Sequence, residues 1–170
     1  MEKRTGIITF AKNPLTLVGT PVAVGAKAPD FTALAPDLSP VSLSAFKGKV
    51  VIISSVPSID TPVCDMQTRR FNEEAGKLSD AVIITISNDL PFAQARYCGD
   101  KGIDNVKTLS DHRDLSFGLQ YGLVVEELRL LARAVTIIDK DGVVRYSEVV
   151  PEMTNHPDYD AALAAAKKLL

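Results

Sequence analysis

Three apolar segments of the sequence, residues 50–53, 81–86 and 134–138, are rich in β-branched residues and do not alternate with polar positions. Runs of this kind are typical of strands that are buried on both faces of a sheet. A second pattern follows the first segment, where five residues at spacings of four, three, four and three fall on one face of a predicted helix. These residues are Cys64, Thr68, Phe71, Ala75 and Leu78. The alternation of buried strands with helices favours an α/β fold.

Shorter patterns complete the predicted order of elements. Gly99 follows the helical pattern of residues 91–98 and is its predicted C-cap. Asp141-Gly142 is a hairpin-turn sequence that follows the buried run at 134–138. The predicted elements outside the buried runs are strands at 6–10, 15–18, 106–109 and 143–150 and helices at 91–98, 115–121 and 157–170. The first two of these strands form a β-hairpin within residues 1–20. This order predicts a mixed central sheet with helices on both faces.

Composition excludes several classes of protein. The length of 170 residues fits one domain spanning residues 1–170. The proportions of 46% hydrophobic and 24% charged residues are those of a folded chain and not of a disordered one. The formal net charge of −2 gives no basic excess to drive nucleic-acid binding.

No targeting or membrane segment is predicted. The apolar start is broken by Lys12 and Pro14, which is too early for a signal peptide. No apolar run approaches the ~18 residues that a membrane span needs. We therefore expect a cytoplasmic protein, in which structural disulfides are rare. Two cysteines are too few for a disulfide scaffold. The spacing of the two cysteines and two histidines does not match a zinc site.

The position of Cys64 leaves two interpretations open. Free cysteines are often buried as small apolar side chains, which would make Cys64 a core residue. Thr61 is a suitable N-cap and Pro62 a suitable first residue, so Cys64 would instead lie in the first helical turn, where the helix dipole stabilises a thiolate. The neighbouring Asp65 opposes this effect, and a compensating cation would have to come from elsewhere in the fold. Thr61 could cap the helix or hydrogen-bond the thiolate, and Pro57 could end the strand or shield the thiol from water.

Cys98 and Arg133 are the other residues with candidate chemistry. Cys98 lies near the C-terminal end of its predicted helix, where the dipole disfavours a thiolate, so Cys64 is the better candidate nucleophile. The 34-residue separation of the cysteines excludes a C-x-x-C pair. Cys98 is either a disulfide partner, which requires Cα atoms within about 7 Å, or a buried small residue. Arg133 has apolar neighbours in the sequence, so its charge either reaches solvent at an edge of the fold or needs a partner. A thiolate would be a suitable partner for its guanidinium group.

Three segments together resemble a known family. Residues 57–64 contain P-x-x-x-T-x-x-C, Cys98 ends the segment SNDLPFAQARYC, and Arg133 lies in LARAV. In combination, and over essentially the whole chain, the sequence is similar to the thiol peroxidases, a subfamily of atypical two-cysteine peroxiredoxins. One departure is segment 125–131, which contains neither the Gly nor the Pro that usually precedes A-R-A-V in this family.

The resemblance implies a thioredoxin-like fold with an N-terminal β-hairpin, and an antioxidant enzyme that reduces hydrogen peroxide and organic hydroperoxides. It implies that Cys64 is the peroxidatic nucleophile and that Cys98 resolves its sulfenic acid as an intramolecular disulfide. Thr61 would hydrogen-bond the thiolate and the peroxide. Arg133 would supply the missing cation, and Pro57 would shield the pocket. Thioredoxin would recycle the enzyme, which would be a homodimer that needs no metal or organic cofactor.

Two rival functions remain open at this point. A thiol–disulfide oxidoreductase could use the same fold, although the absence of C-x-x-C argues against it. A binding module with two inert thiols would also fit. His112 and His156 lie in predicted loops, and no pattern marks them as catalytic. Arg69 and Arg70 are expected on a solvated helix face, although one of them could reach the site.

Overall fold

Eleven strands form the framework of the fold, and the computed structural model describes residues 1–170. The first five strands are β1 (Lys3–Phe10), β2 (Asn13–Val18), β3 (Thr32–Leu34), β4 (Pro40–Ser42) and β5 (Val50–Ser55). The other six are β6 (Ala81–Ser87), β7 (Lys107–Ser110), β8 (Val124–Val125), β9 (Leu130–Leu131), β10 (Ala134–Ile138) and β11 (Val144–Val149). The helices are α1 (Pro62–Ala75), α2 (Pro91–Lys101), α3 (Ser116–Gln120) and α4 (Tyr159–Lys167), with a 3₁₀ turn at Leu43–Phe46.

Seven strands form the central sheet, in the order β11-β10-β5-β6-β7-β3-β4. The three middle strands β5, β6 and β7 are parallel, and antiparallel strands flank them on both sides. Val50 and Ile52 of β5 contribute to a core that includes residues of α1, α2 and α4. Val51 and Ile53 contribute to a second core, with α3 and the N-terminal hairpin. The predicted mixed sheet with helices on both faces is therefore confirmed, and burial on both faces explains the continuous apolar runs.

A second, smaller sheet has the order β1-β2-β8-β9, of which the sequence patterns predict only the hairpin of β1 and β2. β8 and β9 have two residues each, too few to show the period of two that identifies a strand. The turn that joins them lies in the segment without Gly or Pro and places Arg129 at a left-handed φ of +56°. Val125 and Leu131 of this sheet are fully buried in the second core, so the small sheet covers that face of the central sheet.

The helix that carries Cys98 is longer than the sequence predicts. The prediction that it ends before Gly99 is wrong, because α2 continues through Gly99 and is capped by Gly102. A glycine inside a helix costs only about 1 kcal/mol relative to alanine. Gly102 has a φ of +64° and donates its N–H to the Cys98 carbonyl, an arrangement that favours glycine. Cys98 is therefore in the last turn of α2, as expected, but is not its final residue.

The last helix is shorter than its predicted span of 157–170. Asp158 is its N-cap and accepts the N–H of Ala161 at 2.9 Å, and the helix ends at Lys167. The prediction was too wide at both ends, because Asp158 caps the helix from outside it and Lys168 is already the C-cap. None of the helices combines the length and the apolar character that crossing a membrane requires.

Candidate active site

The loop between β5 and α1 follows the C-terminal end of β5 and contains the predicted start of a helix. Pro57 is buried in this loop. The Thr61 hydroxyl accepts the backbone N–H of Cys64 at 3.3 Å, and Pro62 occupies the first helical position, where it has no N–H to satisfy. Cys64 consequently lies in the first turn of α1, where free backbone N–H groups stabilise negative charge.

Arg133 contacts Cys64 from a position 69 residues away in sequence. It lies immediately before β10, and Ala134 of that strand pairs with Ser55 at the end of β5. This register brings Arg133 to the end of β5, where the loop to α1 begins. Its Nη2 lies 3.4 Å from the Cys64 Sγ, and both side chains are buried, with exposed fractions of 2% and 0%.

The charge of Arg133 has no carboxylate partner. Its Nε donates to the Met153 carbonyl at 2.9 Å, and its Nη1 donates to Gln67 Oε1 at 2.9 Å. Burial of a charge is costly unless the charge is paired, and both of these acceptors are neutral. The Cys64 sulfur is the only one of the three contacts that can become negative. A buried guanidinium in contact with this sulfur would stabilise negative charge on it, so Arg133 lies where the expected cation would have to be.

Gln67 orients the guanidinium, and sequence reasoning missed it. Its side chain is fully buried, and while Oε1 accepts from Arg133, Nε2 donates to Ser54 Oγ at 2.7 Å. Gln67 therefore connects β5 to the cation and restricts the plane of the guanidinium group. A signal was present in the sequence, since Gln67 is three residues after Cys64 and so lies on the same helix face as a polar residue among apolar ones.

Asp89 is a second residue that sequence reasoning assigned no role. It follows β6, and its carboxylate accepts the Ser58 hydroxyl at 2.8 Å, the Ile59 backbone N–H at 2.8 Å and the Ser87 hydroxyl at 2.6 Å. The first two donors belong to the loop that precedes Thr61. Two charge-assisted hydrogen bonds thus fix the loop before Cys64 to the strand end that leads into α2, and the third, from Ser87, holds the carboxylate in place.

Cys98 is not in contact with Cys64, and both cysteines are free. Cys98 is partly buried, and its Sγ lies 3.3 Å from the Thr108 hydroxyl of β7. The neighbouring Tyr97, not Cys98, reaches α1, where it donates to Asp65 at 2.7 Å. The structure therefore brings together Cys64, Thr61 and Arg133. Cys98 contacts β7, whereas its neighbour Tyr97 reaches α1 from another side of α2.

The remaining candidates from the sequence have other partners. Arg69 pairs with Asp65, and Arg70 lies 3.8 Å from Glu74, so neither contacts the Cys64 sulfur. His112 Nδ1 lies 2.8 Å from the Ser110 hydroxyl, and His156 Nδ1 lies 2.8 Å from the Tyr159 hydroxyl. Burial raises the pKa of Tyr159 to about 12, so its phenol remains protonated at neutral pH.

The sequence matches one known protein family over most of its length. The family model described as Redoxin matches residues 23–163. The thiol peroxidase of Halalkalibacterium halodurans is 61% identical over 163 residues, which cover 96% of this chain and 98% of the relative. The thiol peroxidase of Bacillus subtilis has the same identity and the same coverage of both chains.

Solved structures resemble the whole chain as well. The peroxiredoxin-like protein from Aquifex aeolicus has a TM-score of 0.92 at 40% identity, covering 98% of each chain. The thiol peroxidase from Chromobacterium violaceum has a TM-score of 0.86 at 22% identity, covering 95% of each chain, which supports the fold alone.

Proposed function

The chain belongs to the redoxin family and, within it, to the thiol peroxidases, and we propose that it reduces hydroperoxides with Cys64 as the nucleophile. The thioredoxin-like α/β fold expected from the sequence is confirmed by the solved structures that it resembles. The observation that carries the proposal is the contact between Cys64 and a buried arginine that has no carboxylate partner. An inert core cysteine would not require such a cation.

In the first step, the Cys64 thiolate attacks the terminal oxygen of the hydroperoxide. A sulfur–oxygen bond forms while the oxygen–oxygen bond breaks, and the leaving alkoxide takes a proton to become an alcohol, or water when the substrate is hydrogen peroxide. Arg133 contacts the sulfur and would stabilise the developing negative charge on the oxygens. The Thr61 hydroxyl and the Cys64 backbone N–H, which now bond to each other, would assist it. Pro57 would limit access of water. Cys64 is left as a sulfenic acid.

In the second step, the Cys98 sulfur attacks the Cys64 sulfenic acid. A sulfur–sulfur bond forms and the sulfur–oxygen bond breaks, and the departing hydroxide leaves as water with the proton of the Cys98 thiol. Because Cys98 now faces Thr108, part of α2 must move before this attack. An external dithiol then reduces the disulfide to two thiols, and we assign this role to thioredoxin.

The proposed partners are thus a hydroperoxide substrate and thioredoxin as reductant, with no metal or organic cofactor in any step. We further propose a homodimer, as the sequence resemblance implies, and a cytoplasmic location.

Titration with a hydroperoxide tests the proposal. Reduced protein should consume about one equivalent of hydrogen peroxide in the absence of thioredoxin, and Cys64→Ser should consume none. Insulin reduction by dithiothreitol serves as a control for the rival oxidoreductase activity, and the protein should not accelerate it. Full peroxide consumption by Cys64→Ser would overturn the assignment of the nucleophile.

A further inference from the structure

A hydrogen bond links the two cysteine-bearing helices at the residues next to the cysteines. Tyr97 Oη, one residue before Cys98, donates to Asp65 Oδ1, one residue after Cys64, at 2.7 Å. Tyr97 is 8% exposed. Its burial and the adjacent carboxylate raise the pKa of the phenol, so Tyr97 remains a donor at physiological pH.

Asp65 is held in place as an acceptor. The Arg69 Nε lies 3.1 Å from both carboxylate oxygens of Asp65. Although burial acts against ionisation, the hydrogen bonds from Tyr97 and Arg69 lower the pKa of Asp65 overall, so the acceptor is a charged carboxylate. The Tyr97–Asp65 bond is therefore charge-assisted, which makes it stronger than a bond between neutral groups.

This hydrogen bond and the Cys64–Cys98 disulfide exclude each other. Consecutive side chains of an α-helix point about 100° apart. While Tyr97 faces α1, Cys98 faces β7, where its sulfur contacts Thr108. Cys98 can reach Cys64 only if this part of α2 turns or unwinds, and that movement withdraws Tyr97 from Asp65.

We propose that the Tyr97–Asp65 hydrogen bond is a latch that slows the resolving step. While the latch is closed, the Cys64 sulfenic acid persists and remains open to a second hydroperoxide molecule. That second molecule would transfer one oxygen to the sulfur, giving a sulfinic acid and an alcohol or water. Tyr97 and Asp65 act through the position of Cys98 and not on the peroxide. The inference rests on the proposed roles of Cys64 and Cys98.

Tyr97→Phe tests the latch, because it keeps the buried ring and removes only the hydroxyl. A single turnover is started with one equivalent of hydrogen peroxide, quenched with a thiol-blocking reagent and analysed by mass spectrometry. The variant should form the disulfide at least about tenfold faster, the lower limit for losing one hydrogen bond to a charged group. Its first oxidation should be unchanged, and excess peroxide should produce less sulfinic acid.

Two further variants separate a latch from a general change in stability. Tyr146→Phe is the matched control, since it removes a similar hydrogen bond, from Tyr146 Oη to Glu148 Oε2 at 2.9 Å, on the edge strand β11. It should resolve at the wild-type rate. Asp65→Asn weakens the latch from the other side, and adding Tyr97→Phe to it should give little further acceleration.

Hydrogen exchange of the α2 amides gives a readout that needs no peroxide. In the reduced protein, Tyr97→Phe should exchange faster than wild type over residues 91–101. A Tyr97→Phe variant that resolves at or below the wild-type rate would overturn the latch and leave the proposed function intact. A wild-type protein that forms no sulfenic acid would overturn the proposed function, and the role of the latch with it.

Discussion

Replacement of Gln67 by Glu tests whether Arg133 serves as the counter-charge of a Cys64 thiolate. The introduced carboxylate would lie against Arg133 Nη1, in the place of the amide oxygen that now accepts from it at 2.9 Å. It would compete with the sulfur for the same guanidinium. The side chain has nearly the same shape as Gln, and the site is fully buried. The substitution therefore changes charge with little change in packing.

The size of the effect follows from the spacing. Arg133 would contact the new carboxylate through Nη1 and the sulfur through Nη2, so the guanidinium would separate them by roughly 5 Å. Two negative charges at that distance repel by about 3 kcal/mol at an effective dielectric constant of ~20. That energy corresponds to about a 100-fold lower rate of Cys64 oxidation. The same carboxylate gives the buried cation a partner, so the free energy of unfolding should not fall. Activity and stability should move apart.

The assay is the second-order rate constant of Cys64 oxidation by hydrogen peroxide, measured beside urea unfolding of the reduced protein. Gln67→Met is the control, because it removes the hydrogen bonds of Gln67 without adding charge. It should lose about 1–3 kcal/mol of stability through the unsatisfied Arg133 donor, and it should lose less activity than Gln67→Glu. Wild-type oxidation rates in Gln67→Glu would refute the counter-charge argument.

Three other predictions follow from the same structure. Cys98→Ser should undergo the first oxidation but lose thioredoxin-driven turnover, and mass spectrometry should find a sulfenic acid on Cys64; sustained turnover would show that another group resolves it. Asp89→Asn should lower the free energy of unfolding by about 1–3 kcal/mol and slow Cys64 oxidation, because an amide cannot accept all three donors that Asp89 holds; wild-type values of both quantities would contradict this role. Asp111 is buried and accepts the backbone N–H groups of Phe117 and Gly118 in α3. Burial raises its pKa to about 6, above its ordinary value, so the stabilisation from its protonated form is complete at low pH and is lost as the pH rises through 6. Between about pH 4 and pH 7, unfolding measurements should therefore show wild type losing up to about 3 kcal/mol relative to Asp111→Asn, and parallel pH profiles would argue against this effect.

Local features of the fold could be predicted from the sequence. Thr61 and Pro62 set the start of α1 because capping depends on residues within one turn of each other. The buried strands could be predicted because burial on both faces leaves an uninterrupted apolar run. The end of α2 could not, since Gly99 and Gly102 both fit a cap and only the backbone conformation distinguishes them.

The composition of the site could be predicted only in part. The contact between Arg133 and Cys64 depends on the pairing of β10 with β5, which no local pattern specifies. The apolar neighbours of Arg133 indicated that its charge could need a partner, but only the family resemblance placed it beside Cys64. Gln67 and Asp89 were missed for a related reason. Each side chain binds partners from distant segments, and a polar residue alone gives no sign of which segments those are.

Mass mapping after peroxide titration shows whether Cys64 is oxidised first and whether Cys98 then bonds to it. Reduced protein is treated with one equivalent of hydrogen peroxide, blocked at its remaining thiols and digested. We expect a peptide pair joined by a Cys64–Cys98 disulfide in the wild type, and no oxidation of Cys98 in Cys64→Ser. A wild-type protein that keeps both thiols reduced while peroxide remains, or that oxidises Cys98 before Cys64, would show that Cys64 is not the peroxidatic nucleophile.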